Sequence, residues 1–251
     1  MATELRLGAV QESMLGVREY LGLSQSQYGG NFVEGVQAIV RELETYGERS
    51  DVVNLRYILS GIARDPQWIP QHAVPWRAHR PRGLRLRALV DFVNHPHSVR
   101  AKLTAENVLA LRLYTSDTFR LINRFLRSPA RRHPLAMTVM HLTEGICKLR
   151  IVNLDSLEPG KLHTLWRGVK DKVVPKGFGR RGGTELACMS TTASKAVAVK
   201  YAASETPLLF EMHVKPIQMG SSLQYLSVFP KEEEYLYPAL TYLDPGQGRA
   251  L

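Results

Sequence analysis

Glu232 and Glu234, in the run Phe229-Pro230-Lys231-Glu232-Glu233-Glu234-Tyr235-Leu236-Tyr237-Pro238, are the residues best placed to do chemistry. The aromatic and apolar residues around them favour extended backbone. In a strand side chains alternate, so Glu232 and Glu234 project together while Glu233 points away. Two carboxylates in one site repel unless one gains a proton, a cation or hydroxyl donors, which is commoner in active sites than in folding devices. Alone, a Glu triplet is more often a solvated edge or loop, so its weight depends on what else the chain sets beside it.

Two further patterns suggest chemistry and fail on context. Gly177-Phe178-Gly179-Arg180-Arg181-Gly182 satisfies the dinucleotide-binding glycine pattern. Pro175 precedes it, however, and Leu186 to Ser190 after it reads as a strand, so the helix whose N-terminus would hold a pyrophosphate is missing and a flexible loop is expected. His95-Pro96-His97 has no accompanying carboxylate or Cys cluster and reads as a turn. Cys147 and Cys188 are the only cysteines, too few for a disulfide framework or a Cys-rich zinc site. No metal is expected.

The positioning elements divide into a helical part and a strand part. Residues 1 to about 155 read as helical throughout, with apolar positions every three or four residues. One helix starts at Asn31 with Glu34 completing a capping box, buries Val33, Val36, Ile39, Val40 and Leu43, and stops at Gly47. Val52, Leu55, Ile58, Leu59 and Ile62 mark the next. Pro66, Pro70, Pro75 and Pro81 interrupt any helix between Arg64 and Gly83, the expected linker or long surface loop. After a short stripe (Leu86, Leu89, Val90, Val93), Thr104 with Asn107 opens a helix ending near Tyr114-Thr115. Its successor, capped by Ser116 or Asp117, is expected to bury Phe119, Ile122 and Phe125 and to turn Arg120, Arg124 and Arg127 outward; Pro134 opens the last helix, through Leu149. Strands are expected over Leu162–Val169, Leu186–Ser190, Leu208–Val214, Tyr225–Phe229 and Glu232–Leu243, with a helical turn at Lys195–Tyr201. Helices followed by strands give an α+β arrangement.

The chain has 251 residues, is 44% hydrophobic and carries a formal net charge of +10. Residues 77 to 132 hold 13 Lys or Arg against three acids, Asp91, Glu106 and Asp117, and so contain the whole excess. Such a segment could meet nucleic acid, an acidic protein or an anionic ligand, or be a solvated helical surface. Its aromatics (Phe92, Tyr114, Phe119, Phe125) are sparse and core-spaced, so nucleic acid is not the expected partner. The N-terminus, with Glu4, Arg6 and Glu12, lacks a signal-peptide pattern, and no apolar run is of membrane length, so a cytoplasmic location without membrane contact is expected.

Three features occur in order in the strand part: Leu165-Trp166-Arg167-Gly168-Val169, Met189-Ser190-Thr191-Thr192, and Phe229-Pro230-Lys231-Glu232-Glu233-Glu234. Together they resemble the arginine-specific mono-ADP-ribosyltransferases, whose strand Arg, Ser-Thr-Ser-like strand and Glu-x-Glu strand follow in this order. The resemblance extends to Leu113-Tyr114-Thr115 and the two helices after it, and to Tyr235-Leu236-Tyr237-Pro238. It covers roughly residues 105 to 243. Thr192 stands where many relatives have Ser, and Trp166 and Tyr235 replace other apolar residues. Two cysteines cannot reproduce the disulfides of secreted vertebrate relatives.

The resemblance implies a helical N-terminal region (1–100) of unassigned role, packed on a split β-sandwich ADP-ribosyltransferase core (101–251). It implies NAD as donor substrate, without a metal, and an arginine-bearing protein as acceptor, acidic in character if the basic segment meets it. Glu234 would stabilise positive charge on the ribose as nicotinamide leaves, Arg167 would contact the NAD phosphates, and Ser190 would hold the Glu234 rotamer with Thr191 and Thr192 supporting the strand. Gly168 would present backbone groups to the nicotinamide amide, and Glu232 would align the acceptor guanidinium and assist its proton loss. The alternatives are an NAD glycohydrolase, in which water replaces arginine, and a basic helical binding module with an inactive β half.

Overall fold

A computed structural model describes residues 3–7, 9–11, 14–22, 35–61, 88–128, 133–155, 157–228 and 233–245. The described helices are α1 (Met14–Tyr20), α2 (Gly35–Tyr46), α3 (Arg49–Ser60), α4 (Leu89–Val93), α5 (Pro96–Arg100), α6 (Ala105–Tyr114), α7 (Phe119–Leu126), α8 (Ala136–Leu154), α9 (Phe178–Arg181) and α10 (Lys195–Ala202). The strands are β1 (Thr3–Leu7), β2 (Ala9–Gln11), β3 (His163–Val169), β4 (Gly183–Glu185), β5 (Met189–Thr192), β6 (Leu208–Val214), β7 (Ser221–Ser222), β8 (Glu234–Tyr237) and β9 (Thr241–Asp244).

The helical layer is built around α6 and α8. Every residue of α6 from Asn107 to Tyr114 is buried, as expected of a helix apolar on nearly all sides. Its start follows the expected capping: the Thr104 hydroxyl accepts from the Asn107 amide, and Asn107 Oδ1 accepts from the Thr104 amide at 3.2 Å. Gly145 lets α8 cross close by, since a Cβ there would lie 2.8 Å from a Leu111 methyl. The N-terminus of α8 is held by α2: the Glu42 carboxylate accepts from the amides of Met137 (2.8 Å) and Thr138 (2.9 Å) and from the Thr138 hydroxyl (2.7 Å). Those orphan amides carry the positive end of the helix dipole, so an acid suits them. Burial nevertheless raises the Glu42 pKa above its ordinary value.

Two sheets complete the fold. One has six strands in the order β1-β6-β3-β5-β8-β7, antiparallel except for the parallel β1–β6 pair; the other is antiparallel, in the order β2-β9-β4. One core packs the helices with Cys188, Leu223, Leu226 and Leu236. A second gathers Leu165, Met189, Met212 and Tyr237 of the large sheet with Leu243 of the small one and Phe178.

Several expectations are corrected. Residues 1 to 155 are not helical throughout, because Thr3–Leu7 and Ala9–Gln11 are strands that pair with β6 and β9, far along the chain. Tyr225 to Val228 is not a strand: the Leu226 and Ser227 amides both turn back onto the Leu223 carbonyl. In α7 the buried apolar residues are Leu121, Ile122 and Leu126, while Phe119 is exposed and Phe125 half-buried. The arginines Arg120, Arg124 and Arg127 are exposed as expected. The N-cap of α7 is Thr118, whose side chain makes no cap bond, rather than Ser116 or Asp117. β4 and β7 are additional strands, and the glycine-rich loop contains the single turn α9. The Asn31–Glu34 capping box, the whole proline-rich stretch from Arg64 to Gly83 and Glu232 lie outside the described residues.

Candidate active site

The site forms where three strands of the large sheet meet. β3 and β5 share one ladder position, Trp166 opposite Thr192. β5 then runs along β8 with Ser190 opposite Leu236, Thr191 opposite Tyr235 and Thr192 opposite Glu234. Residues directly opposite share a face. Trp166, Thr192 and Glu234 therefore form a row across three strands, and Ser190, two residues before Thr192, lies on the same face. All four are half-buried, accessible to a ligand but not fully solvated. Glu233 points the other way and is exposed, as alternation requires.

Arg167, next along β3, reaches across the junction. One guanidinium nitrogen donates to the Ser190 carbonyl at 2.9 Å and the other meets Glu185 at 3.4 Å. Arginine's planar fork can make both bonds at once; a lysine could not. Sequence reasoning missed the role of Glu185. Its carboxylate also accepts from Arg127 of α7 at 3.2 and 3.3 Å and from the Ala187 amide at 3.1 Å. One half-buried acid thus ties α7, β3 and the entry to β5 together. No local pattern marks Glu185 as a bridge, since its arginine partners lie 18 and 58 residues away in sequence.

The other sequence-nominated residues divide by what they touch. The Thr191 hydroxyl donates to the Tyr235 carbonyl at 2.9 Å and so locks β5 to β8. Thr192 Oγ1 accepts from the Ser194 amide at 3.2 Å and shapes the turn into α10, whose N-cap is Ser194. Gly168 has a packing reason of its own: a Cβ there would lie 1.9 Å from the Ala198 carbonyl oxygen, so only glycine lets α10 lie on β3. Ser190, Arg167 and Glu234 remain the polar groups gathered at the junction.

Behind the site stands Tyr114 at the end of α6. Its hydroxyl donates to the Cys188 carbonyl at 3.0 Å and accepts from Asn123 at 3.1 Å. Burial holds its pKa well above the ordinary tyrosine value, the neighbouring Cys188 and Glu234 add to the rise, and Asn123 and Arg167 oppose it. The phenol is therefore a permanent proton donor, within electrostatic reach of both Glu234 and Arg167. Burial pushes the Cys188 thiol up to about 12, which removes it as a nucleophile. Burial, followed by the adjacent Glu233, raises Tyr235. Among the described residues no cluster of three or more His, Cys, Asp or Glu is placed to hold a metal ion, and no helix is long and apolar enough to cross a membrane. His95 stacks with Tyr225 at 4.5 Å and with His97 at 5.3 Å between ring centroids.

No family model matches the chain, and no curated protein matches it in sequence. Solved structures do. A mutant of the eukaryotic mono-ADP-ribosyltransferase ART2.2 in complex with NAD aligns over 94% of this chain and 85% of its own, at 15% identity and a TM-score of 0.50. HopU1, an ADP-ribosyltransferase of Pseudomonas syringae pv. tomato, aligns over 84% and 88% at 17% identity and a TM-score of 0.47. The type III effector XopAI from Xanthomonas axonopodis pv. citri aligns over 95% and 85% at 16% identity and a TM-score of 0.48. The likeness to ART2.2 bears on the fold: helices and a largely antiparallel sheet arranged as in that protein.

Proposed function

We propose that the chain is an NAD-dependent mono-ADP-ribosyltransferase that transfers ADP-ribose to arginine side chains of a protein and releases nicotinamide. The observation that carries this reading is the strand junction, where Arg167 bonds the Ser190 carbonyl and Glu234 lies opposite Thr192 on the Ser190 face. A fork of cationic donors and an acid with a neighbouring hydroxyl are what a diphosphate and a developing ribosyl cation require. The ART2.2 fold, seen with NAD bound in that protein, is in keeping with it.

In this reading the bond between the ribose anomeric carbon and the nicotinamide nitrogen breaks, and the electron pair leaves with nicotinamide. The departing group was a cation and becomes neutral, so no general acid is needed. The task is to stabilise positive charge on the ribose and to hold the acceptor in line. Glu234 supplies the charge, with Ser190 holding its rotamer. Arg167 grips the pyrophosphate, and Gly168, Thr191 and Thr192 shape the wall around it. Glu232 aligns the acceptor guanidinium, which is protonated at neutral pH, and takes its proton as the nitrogen attacks. No step calls for a metal. The basic segment, residues 77 to 132, steers acceptors with acidic surfaces.

The test is made on one preparation with NAD and agmatine, following nicotinamide release, free ADP-ribose and ADP-ribosylated agmatine. Glu234→Ala should lower both transfer and hydrolysis by about a hundredfold or more. Glu232→Gln should abolish transfer and keep hydrolysis. A wild-type chain that leaves NAD intact would refute the reading, and one that only hydrolyses NAD would be a glycohydrolase.

A further inference from the structure

Arg120, Arg124 and Arg127, on and just after α7, each meet an acid. Arg120 faces Asp117 at 3.7 Å and Arg124 faces Glu48 at 3.3 Å, all four side chains more than half exposed, as in surface pairs that contribute little. Arg127 differs. Its acid, Glu185, has a side chain only 21% exposed and also meets Arg167, whose side chain is 15% exposed.

The two carboxylate oxygens of Glu185 are used unequally. Oε1 accepts from Arg127 Nε and Nη2 at 3.3 and 3.2 Å and from the Ala187 amide at 3.1 Å, while Oε2 faces Arg167 Nη2 at 3.4 Å. Glu185 is the last residue of β4 and lies opposite Thr241 of β9, so the small sheet sets where this carboxylate stands. Arg167 is thereby held from two sides, by the Ser190 carbonyl of the large sheet at 2.9 Å and by Glu185. Among the described residues these bonds engage two of the five N–H groups of its guanidinium, and the rest, Nε–H included, are available to a ligand. A carboxylate beside an arginine that is to hold a diphosphate would cancel the charge on which the attraction depends. Arg127 removes that difficulty. With two guanidinium groups on one acid the cluster keeps a net positive charge, and Glu185 orients Arg167 without neutralising it.

We propose that Glu185 is a positioning residue for the NAD-binding face of the junction, fixing the Arg167 guanidinium while Arg127 offsets its charge. This rests on the transferase reading above. Glu185→Gln keeps the shape and removes the charge. The amide oxygen stays at the Oε1 position, where three donors meet it, and the NH2 group then faces Arg167 donor to donor. The local charge becomes more positive while the guanidinium loses its guide, so the two roles open to Arg167 give opposite signs. With Glu185 as positioning residue, KM and the calorimetric Kd for NAD rise about tenfold, the scale of one lost charge-assisted hydrogen bond, and kcat stays within about twofold of wild type. With Arg167 acting only as a charge, NAD binds more tightly instead. Arg127→Met leaves Glu185 unopposed and should raise KM for NAD about three- to fivefold, the scale of a half-exposed ion pair. Made in the Glu185→Gln background it should change nothing further, because Arg127 acts through the acid. Urea midpoints of all three variants identify any that merely lose stability. A KM at or below wild type in Glu185→Gln, an equal rise from Arg127→Met in both backgrounds, or a kcat that falls in step with the urea midpoint overturns the proposal and leaves the transferase reading standing. A wild-type chain that neither binds nor cleaves NAD removes that reading and this inference with it.

Discussion

Replacing Arg167 by Lys keeps a positive charge at the strand junction and removes the geometry that makes the charge useful. The guanidinium bonds the Ser190 carbonyl through one nitrogen and meets Glu185 through the other. A lysine ammonium of similar reach can occupy one of these positions at a time. On the proposed function the charge's attraction to the NAD phosphates survives, and the lost quantity is one directed, charge-assisted hydrogen bond to those phosphates. Such bonds are worth about 1.5–3 kcal/mol, or about a 10- to 150-fold rise in KM for NAD. The effect on kcat should be smaller, because Glu234, which on the proposed function faces the bond being broken, is placed by the β5–β8 ladder. Nicotinamide release measured over a range of NAD concentrations, with urea unfolding of the same preparation, separates binding from folding. A KM within twofold of wild type, in a variant as stable as wild type, would refute the assignment of Arg167 to the phosphates.

Two predictions concern stability. Glu42→Ala removes the acceptor of three hydrogen bonds at the start of α8 and should cost about 3 kcal/mol, read as a lowered urea midpoint; a loss under about 0.5 kcal/mol would mean that water caps this helix instead. His133 is buried, its Nδ1 accepts from the Leu135 amide at 3.1 Å, and burial lowers its pKa from 6.5 to about 4. Between those values the unfolded chain takes up a proton that the folded chain refuses. Stability should therefore fall as pH drops from 6.5 towards 4, by roughly 2 kcal/mol once partial solvent screening is allowed for. His133→Asn keeps an acceptor for Leu135 and should flatten that slope; identical slopes in the two proteins would count against it.

The residues proposed to carry chemistry were readable because their types and order are informative even without structure. Arg167, Ser190 and Glu234 stand in three separate strands, and the structure brings those strands side by side. The strand over Leu208–Val214 and the start of the helix after Thr104 were also recoverable, since alternation and capping are local signals. β1 and β2 were not, because their pairing partners, Leu208 to Met212 and Tyr242 to Asp244, lie at the other end of the chain and short strands leave little periodicity. In α7 the apolar residues 119, 121, 122, 125 and 126 cover more than one face, so periodicity alone could not decide that Leu121 and Leu126 face inward and Phe119 does not. Tyr225 to Phe229 has the composition of a strand, yet Arg112 and Thr115 take up its backbone groups through Val228. Glu185 is the instructive omission at the site: a lone acid acquires meaning only when two distant arginines arrive at it.

The pairing of the first strands with the last has a consequence for how the molecule comes into being. Thr3 lies beside Leu208 and Ala9 beside Asp244, so neither sheet can be completed until the strands through Tyr237 and Asp244 have been synthesised. During that interval the helical layer, rich in local contacts, can assemble, while the N-terminal strands wait with open edges. Unpaired edges of this kind invite pairing with other chains until β6 and β9 arrive, a hazard set by the topology and not by any single residue. Under the proposed function, activity needs β3, β5 and β8 side by side and so arises only after Glu234–Tyr237 has been made and paired.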